Sequence, residues 1–181
     1  MPRPRRDDEA ALLDRIALTL ERRQSLEPWT LAEIAPTAGL SPAGLLKRFG
    51  SRQGILLALS RRWIDSIPAS PQGDASGDEL RSWVEQRFCP RGPEGVARGL
   101  TNLLDDLTDE CLRGLLAAGW SKEIGYLASL LHLAELPRLR DPHRGARLLF
   151  DALNGAMLRR ATEPDAAGPT QILDDLLEVW T

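Results

Sequence analysis

Between residues 30 and 52 the chain gathers hydroxyls at Thr30, Ser41 and Ser51, three cations (Lys47, Arg48, Arg52) and the small or apolar residues Pro42, Ala43, Gly44 and Leu46, with Glu33 as the single acid. Lysine and arginine reach phosphate oxygens or guanine edges, hydroxyls donate to phosphate, and an alanine methyl can touch a thymine methyl. Nothing elsewhere assembles a catalytic set. The two histidines, His132 and His143, stand apart from any motif, and there is no HExxH, Gly-x-Ser-x-Gly or phosphate loop. Cys89 and Cys111 lack CxxC spacing, so reduced, buried thiols are expected rather than a zinc site or a disulfide framework. No cofactor and no enzymatic activity are expected.

The elements that position these residues begin with a capping box: Thr30 and Glu33 have S/T-x-x-E spacing, flanked by Trp29 and Ile34 at hydrophobic-staple positions. Gly39 ends that helix. Ser41 caps the next, Pro42 sits in its first turn where a missing N–H costs nothing, and Leu40 can staple onto Leu45. Two short helices joined by a glycine turn read as helix-turn-helix. The spacing predicts helices over 30–38 and 42–49, with Leu45 and Phe49 turned into a core and Pro42, Ala43, Leu46, Lys47 and Arg48 turned outward. Leu46 is either an apolar base contact or a partly buried packing residue. Pro36 deletes a donor and should tighten or kink the last turn of the first motif helix. Ser51 caps a fourth helix with the stripe Ile55, Leu56, Leu59 and Trp63, where exposed N–H groups and Arg52 could clamp a phosphate. Leu12, Leu13, Ile16, Ala17 and Leu20 mark a support helix over roughly 7–24.

These residues resemble the TetR/AcrR family of transcriptional regulators. The ordered, ungapped match runs Thr30, Ile34-Ala35, Ala38-Gly39-Leu40-Ser41, Ala43, Leu45-Leu46, Phe49, Ser51-Arg52-Gln53 and Ile55-Leu56. It covers about a third of the chain. The resemblance implies an all-α protein with an N-terminal three-helix helix-turn-helix DNA-binding domain and a C-terminal helical ligand-binding and dimerisation domain. It also implies a homodimer on a double-stranded DNA operator, with repression as the family default and release by a small-molecule effector. DNA contacts are expected at Thr30, Ser41, Pro42, Ala43, Gly44, Leu46, Lys47, Arg48 and Arg52. Gly44 stands where the family frequently has Thr, and Leu46 where it has Tyr, so two habitual phosphate donors are missing. Gly44 also lowers helix propensity by about 1 kcal/mol.

The net charge of −3 divides unevenly. Residues 1–63 hold eleven Lys/Arg and seven Asp/Glu, a balance of +4, and residues 64–181 hold twelve and nineteen, a balance of −7. Basic charge thus travels with the motif, as counterion release at DNA requires. Arg3, Arg5 and Arg6, interleaved with Pro2 and Pro4, form either a solvated tail or a non-helical arm for an adjacent minor groove. The Pro/Gly/Ser/Asp stretch 68–78 separates domains at 1–67 and 68–181.

Beyond it, apolar periodicity predicts a short helix ending near Phe88, another through Val96 to Leu107, and a long helix from about 109 to 135. The long helix buries Leu112, Leu115, Leu116, Trp120, Ile124, Leu127 and Leu131. Helices at 143–162 and toward Trp180 follow, and no period-two segment predicts a sheet. Trp83, Phe88, Trp120, Tyr126, Phe150 and Asn154 are candidate ligand contacts, with Met157, His132 and Cys111 in reserve; each is also a plausible core residue. Asn154-Gly155-Ala156 resembles the stretch through which the family packs its dimer helices. Leu149, Leu153 and Ala156 with Leu173, Leu176, Leu177 and Trp180 give the expected dimer stripe. No apolar stretch approaches the ~20 residues of a membrane span and no secretory signal precedes the charged start, so a cytoplasmic protein without membrane partners is expected. The competing class is an all-helical carrier or enzyme of the same fold without specific DNA binding.

Overall fold

The computed structural model describes residues 6–181 apart from 24, 26, 74, 75, 90 and 91. Pro2 to Arg5 of the basic arm lie outside the described residues, and Arg6 already opens a helix. Nine α-helices and no strand occur among the described residues: α1 (Arg6–Glu21), α2 (Leu31–Ala38), α3 (Pro42–Phe49), α4 (Arg52–Ser66), α5 (Ser76–Phe88), α6 (Gly92–Thr108), α7 (Glu110–Leu133), α8 (Pro142–Thr162) and α9 (Pro169–Trp180). They form two compact units, Met1–Ser66 with Thr101–Ala117, and Ile67–Leu100 with Ala118–Thr181.

The first unit is built on local signals. Glu33 N–H donates to Thr30 Oγ1 at 3.4 Å while Thr30 N–H donates to Glu33 Oε2 at 2.5 Å, which completes the capping box of α2. The helix runs through Pro36 and closes in a Schellman arrangement: Gly39 N–H donates to Pro36 O and Leu40 N–H to Ala35 O, both at 3.1 Å. Gly39 adopts φ 64°, the left-handed region where a Cβ is disfavoured. Leu12, Ile16, Trp29, Ile34, Ala35, Ala38, Leu45 and Ile55 bury together, with Phe49, Leu40 and Leu20 packed against them. Polar ties reinforce this core: Arg62 grips Asp14 with two bonds of 2.8 and 2.9 Å, joining α4 to α1, and Arg15 Nε donates to Thr37 O at 3.3 Å.

In the second unit α5 packs on α8 and α9, and α8 on α9. Leu80, Val84, Phe88, Leu127, Leu130, Leu149, Leu153 and Leu173 are fully buried. Several expectations change here. On α7 Leu112, Leu116, Leu127 and Leu131 are buried as expected, Glu123, Tyr126 and Leu130 join them, and Leu115, Trp120 and Ile124 are only half-buried. Leu149, Leu153 and Leu173 are each 0% exposed within one copy of the chain, so they are core and not dimer surface. The apolar side chains that α8 and α9 leave in water are Leu148, Leu158 and Val179. Both cysteines are exposed rather than buried: Cys89 lies just past the end of α5, and Cys111 lies off the apolar stripe of α7.

Candidate nucleic-acid interface

The candidate interface centres on α3. Ser41 has extended backbone, its Oγ accepts the Gly44 N–H at 3.1 Å, and Pro42 follows in the first turn. Accepting that bond leaves the hydroxyl's own proton free to donate outward, and the same holds for Thr30 at the start of α2. Leu45 is 0% exposed and fixes the inward direction of α3, while Pro42, Ala43, Leu46, Lys47 and Arg48 are all exposed. Exposed Leu46 resolves the two sequence readings in favour of an outward side chain.

Gly50 N–H donates to Leu46 O at 2.8 Å, closing α3 at φ 80°. Ser51 Oγ then accepts the Gly54 N–H at 3.0 Å and caps α4. Gly54 carries no sequence signal of its own, yet a Cβ there would lie 1.9 Å from the Phe49 carbonyl oxygen, so the α3–α4 junction admits only glycine without rearrangement.

The cations are not equivalent. Lys47 is exposed, and among the described residues no carboxylate lies within ion-pair distance of it. Arg48 Nη2 meets Glu9 Oε2 of α1 at 3.3 Å. Arg52 is half-buried: its Nε donates to Trp29 O at 3.3 Å and its guanidinium stacks 4.6 Å from the Trp29 ring centroid. Part of Arg52 is therefore spent on holding the loop before α2. Glu33, besides capping, meets Arg23 at 3.1 Å. Donation from the Thr30 backbone holds the Glu33 carboxyl below its ordinary 4.5, with Arg23 adding to the effect.

The ligand-binding candidates fall into two aromatic groups in the second unit. Trp83 meets Tyr126 edge-on at 4.9 Å; Phe150 meets Phe88 at 5.8 Å and Trp120 at 6.0 Å, also edge-on. Tyr126 hydroxyl donates to Glu79 Oε1 at 2.6 Å, and Glu79 accepts the Gln72 and Gly73 N–H groups as well. Burial, then the carboxylate beside it, pushes the Tyr126 hydroxyl well up. Trp83 Nε1 is buried and has no hydrogen-bond partner among the described residues. Asn154 spends Nδ2 on Phe150 O at 2.9 Å, and His132 is exposed and turned away from the apolar side of α7.

The sequence reading missed Glu123, a wholly buried carboxylate paired with Arg87, whose guanidinium also lies 5.4 Å from the Phe88 ring centroid. The signal was present: Glu123 is one turn from Trp120 and from Leu127 on the buried side. Glu9 was missed too, and nothing near it in sequence points to Arg48.

No family model and no curated protein matches the sequence. Solved structures do. A transcriptional regulator from Rhodococcus sp. Rha1 superposes with a TM-score of 0.66 at 17% identity, covering 96% of this chain and 94% of its own. A TetR-family transcriptional regulator from Rhodococcus sp. gives 0.60 at 20% identity, covering 96% of each chain. A SmeT–triclosan complex gives 0.59 at 18% identity, covering 96% and 90%. The protein has the all-α fold of the TetR-type regulators, a helix-turn-helix head with a helical second part. No helix among the described residues is long and apolar enough to cross a membrane.

Proposed function

We propose that the protein is a DNA-binding transcriptional regulator rather than an enzyme, reading duplex DNA with α3 as a homodimer. The observation that carries this reading is the outer face of α3. A capped eight-residue helix, anchored inward by Leu45, presents Ala43, Leu46 and Lys47 outward, within the part of the chain where basic charge is in excess. Ser41, Pro42 and Gly44 at its N-terminus, Thr30 at the start of α2, and Arg52 on the flank complete the proposed contact set, while Arg48, on the flank toward α1, is paired with Glu9. Residues 1–67 form the DNA-binding part in this reading and residues 68–181 the effector and dimer part.

Two heads are needed to read an inverted repeat. The proposed partner surface is the exposed side of α8 and α9, where Leu148, Gly155 and Leu158 occupy one arc of α8 and Val179 lies exposed on α9. The SmeT–triclosan complex is a precedent for a small molecule held by a protein of this fold. By that precedent the residues around Trp83, Tyr126, Phe88, Trp120, Phe150 and Asn154 are proposed to take a small apolar effector. Its preference for one spacing of the heads would release DNA, with a coupling of about 1–3 kcal/mol.

The test pairs two measurements. Sedimentation of Leu148→Glu with Leu158→Glu is expected to give a folded monomer with weakened duplex binding, whereas the unmodified protein is dimeric at micromolar concentration. Lys47→Ala is expected to lower the dependence of log affinity on log salt by about one for each head engaged. An unmodified protein that is monomeric, or a Lys47→Ala variant that binds duplex as the parent does, contradicts the two-headed reading.

A further inference from the structure

Arg48 and Lys47 are adjacent in sequence, but α3 turns about 100° per residue, so they face different directions. With Leu45 pointing inward, Lys47 lies about 200° and Ala43 about 160° around the helix, almost diametrically outward. Arg48 lies only about 60° from the Leu45 direction. It sits on the flank that faces α1, with its guanidinium 5.9 Å from the Phe49 ring centroid and its Nη2 3.3 Å from Glu9 Oε2. The Arg48 side chain is 29% exposed and that of Glu9 is 53% exposed, so both groups are open to solvent and the pair can be exchanged for another partner. A DNA phosphate is such a partner, and it would have to displace the Glu9 carboxylate first.

We propose that Glu9 is a positioning residue for DNA reading: it holds Arg48 against α1, leaving Lys47 and Ala43 as the groove-facing pair and withholding Arg48 from the phosphates. This rests on the DNA-binding reading of α3 and adds a specificity device to it. Phosphate contacts are blind to sequence. A carboxylate that masks one cation therefore lowers binding to arbitrary duplex more than binding to a matched site, where the groove-facing residues supply the difference. The sequence-independent charge of the reading helix is set from outside it, by a residue 39 positions away.

The experiment measures affinity for a 30-base-pair duplex of scrambled sequence across a salt series, for the full-length parent, Glu9→Gln, Arg48→Ala and the double variant. Glu9→Gln is expected to bind about threefold to tenfold more tightly at 0.1 M salt for each head engaged, with a log–log salt slope steeper by about 0.9 per head. Arg48→Ala is expected to keep the parental slope, and the double variant to match Arg48→Ala. Glu9→Asp keeps a carboxylate near Arg48 and is expected to behave as the parent, which separates charge masking from a general effect on α1. An unchanged slope in Glu9→Gln overturns the proposal, as does loss of about one unit of slope per head in Arg48→Ala alone. A gain that survives in the double variant also overturns it, because it would then come from removing a negative charge and not from releasing Arg48. If the parent itself fails to bind the duplex at low salt, the DNA-binding reading falls and this proposal with it; the other outcomes leave that reading standing.

Discussion

Both units carry long-range ion pairs, Arg62 with Asp14 in the first and Arg87 with Glu123 in the second, but they differ in how far local caps fix their helix starts. In the first, helix starts are fixed by residues three positions apart: Thr30 with Glu33, Ser41 with Gly44, Ser51 with Gly54, each a side-chain cap on its own helix. In the second, the defining polar contacts join distant segments: Arg87 with Glu123 across 36 positions, Tyr126 with Glu79 across 47, and Arg81 with Asp174 across 93. Local caps specify where helices begin, and so the direction in which α3 presents its face. Long-range pairs specify how finished helices meet. A carboxylate buried for the second purpose is costly to orphan, whereas exposed pairs in the head contribute little each.

The sharpest way to break this contrast is to remove one partner from each kind of pair. Arg87→Ala takes a cationic partner from the wholly buried Glu123 carboxylate and is expected to cost about 3 kcal/mol in denaturant unfolding. Replacing Arg87 with Met together with Glu123 by Leu is expected to recover most of that loss. Arg23→Ala opens the pair with Glu33, whose carboxylate is 43% exposed and can be rehydrated, and is expected to cost about 1 kcal/mol. Equal losses for Arg87→Ala and Arg23→Ala would erase the distinction.

Much of the head was legible because its signals are local. The capping box, the glycine turn, the Ser41–Pro42 start and the inward Leu45 are all spelled by near neighbours, and the matching helices begin within a residue of the expected positions. Gly54 was illegible, because its requirement comes from the Phe49 carbonyl folding over the first turn of α4. In the second unit the helices were legible from periodicity, but their polarity was not. A stripe of leucines fits α8 whether its face meets α9 or another molecule, and it was the packing that put Leu149 and Leu153 inside and Leu148 outside. The spacing of Glu123 marks it as buried, but the partners of Glu9 and Glu123, 39 and 36 positions away, leave no local trace.

Two glycines ten positions apart give a sharper version of the local half. Gly54→Ala is expected to destabilise by about 1–3 kcal/mol through the clash with Phe49 O. At Gly44 an added Cβ would lie 3.4 Å from Ser41 Oγ, ordinary contact, so Gly44→Ala is expected to stabilise by about 0.5–1 kcal/mol through helix propensity. Thermal unfolding reads both signs. Two losses would mean that α3 needs Gly44 for more than its backbone freedom.

The smallest expected effect is acid dependence. Bonds from the Thr30 backbone hold Glu33 below its ordinary 4.5, and Arg62 holds Asp14 below 3.8. A carboxyl whose folded value lies below its unfolded value contributes stability above the unfolded value and loses it as pH falls through the folded one. Unfolding measured from pH 7 down to pH 3 is therefore expected to show the head weakening below about pH 4.5. Glu33→Gln, which can still complete a capping box, is expected to hold most of the neutral-pH stability with a shallower acid limb. An unchanged acid limb would remove Glu33 from the account.

The central claim is that α3 reads duplex DNA in a two-headed complex, and selection of bound sequences from a random pool tests it most directly. The full-length protein is expected to enrich an inverted repeat whose half-sites lie one helical turn or a multiple apart, with binding that weakens steeply with salt. A folded protein that enriches no inverted repeat at low salt would contradict the claim.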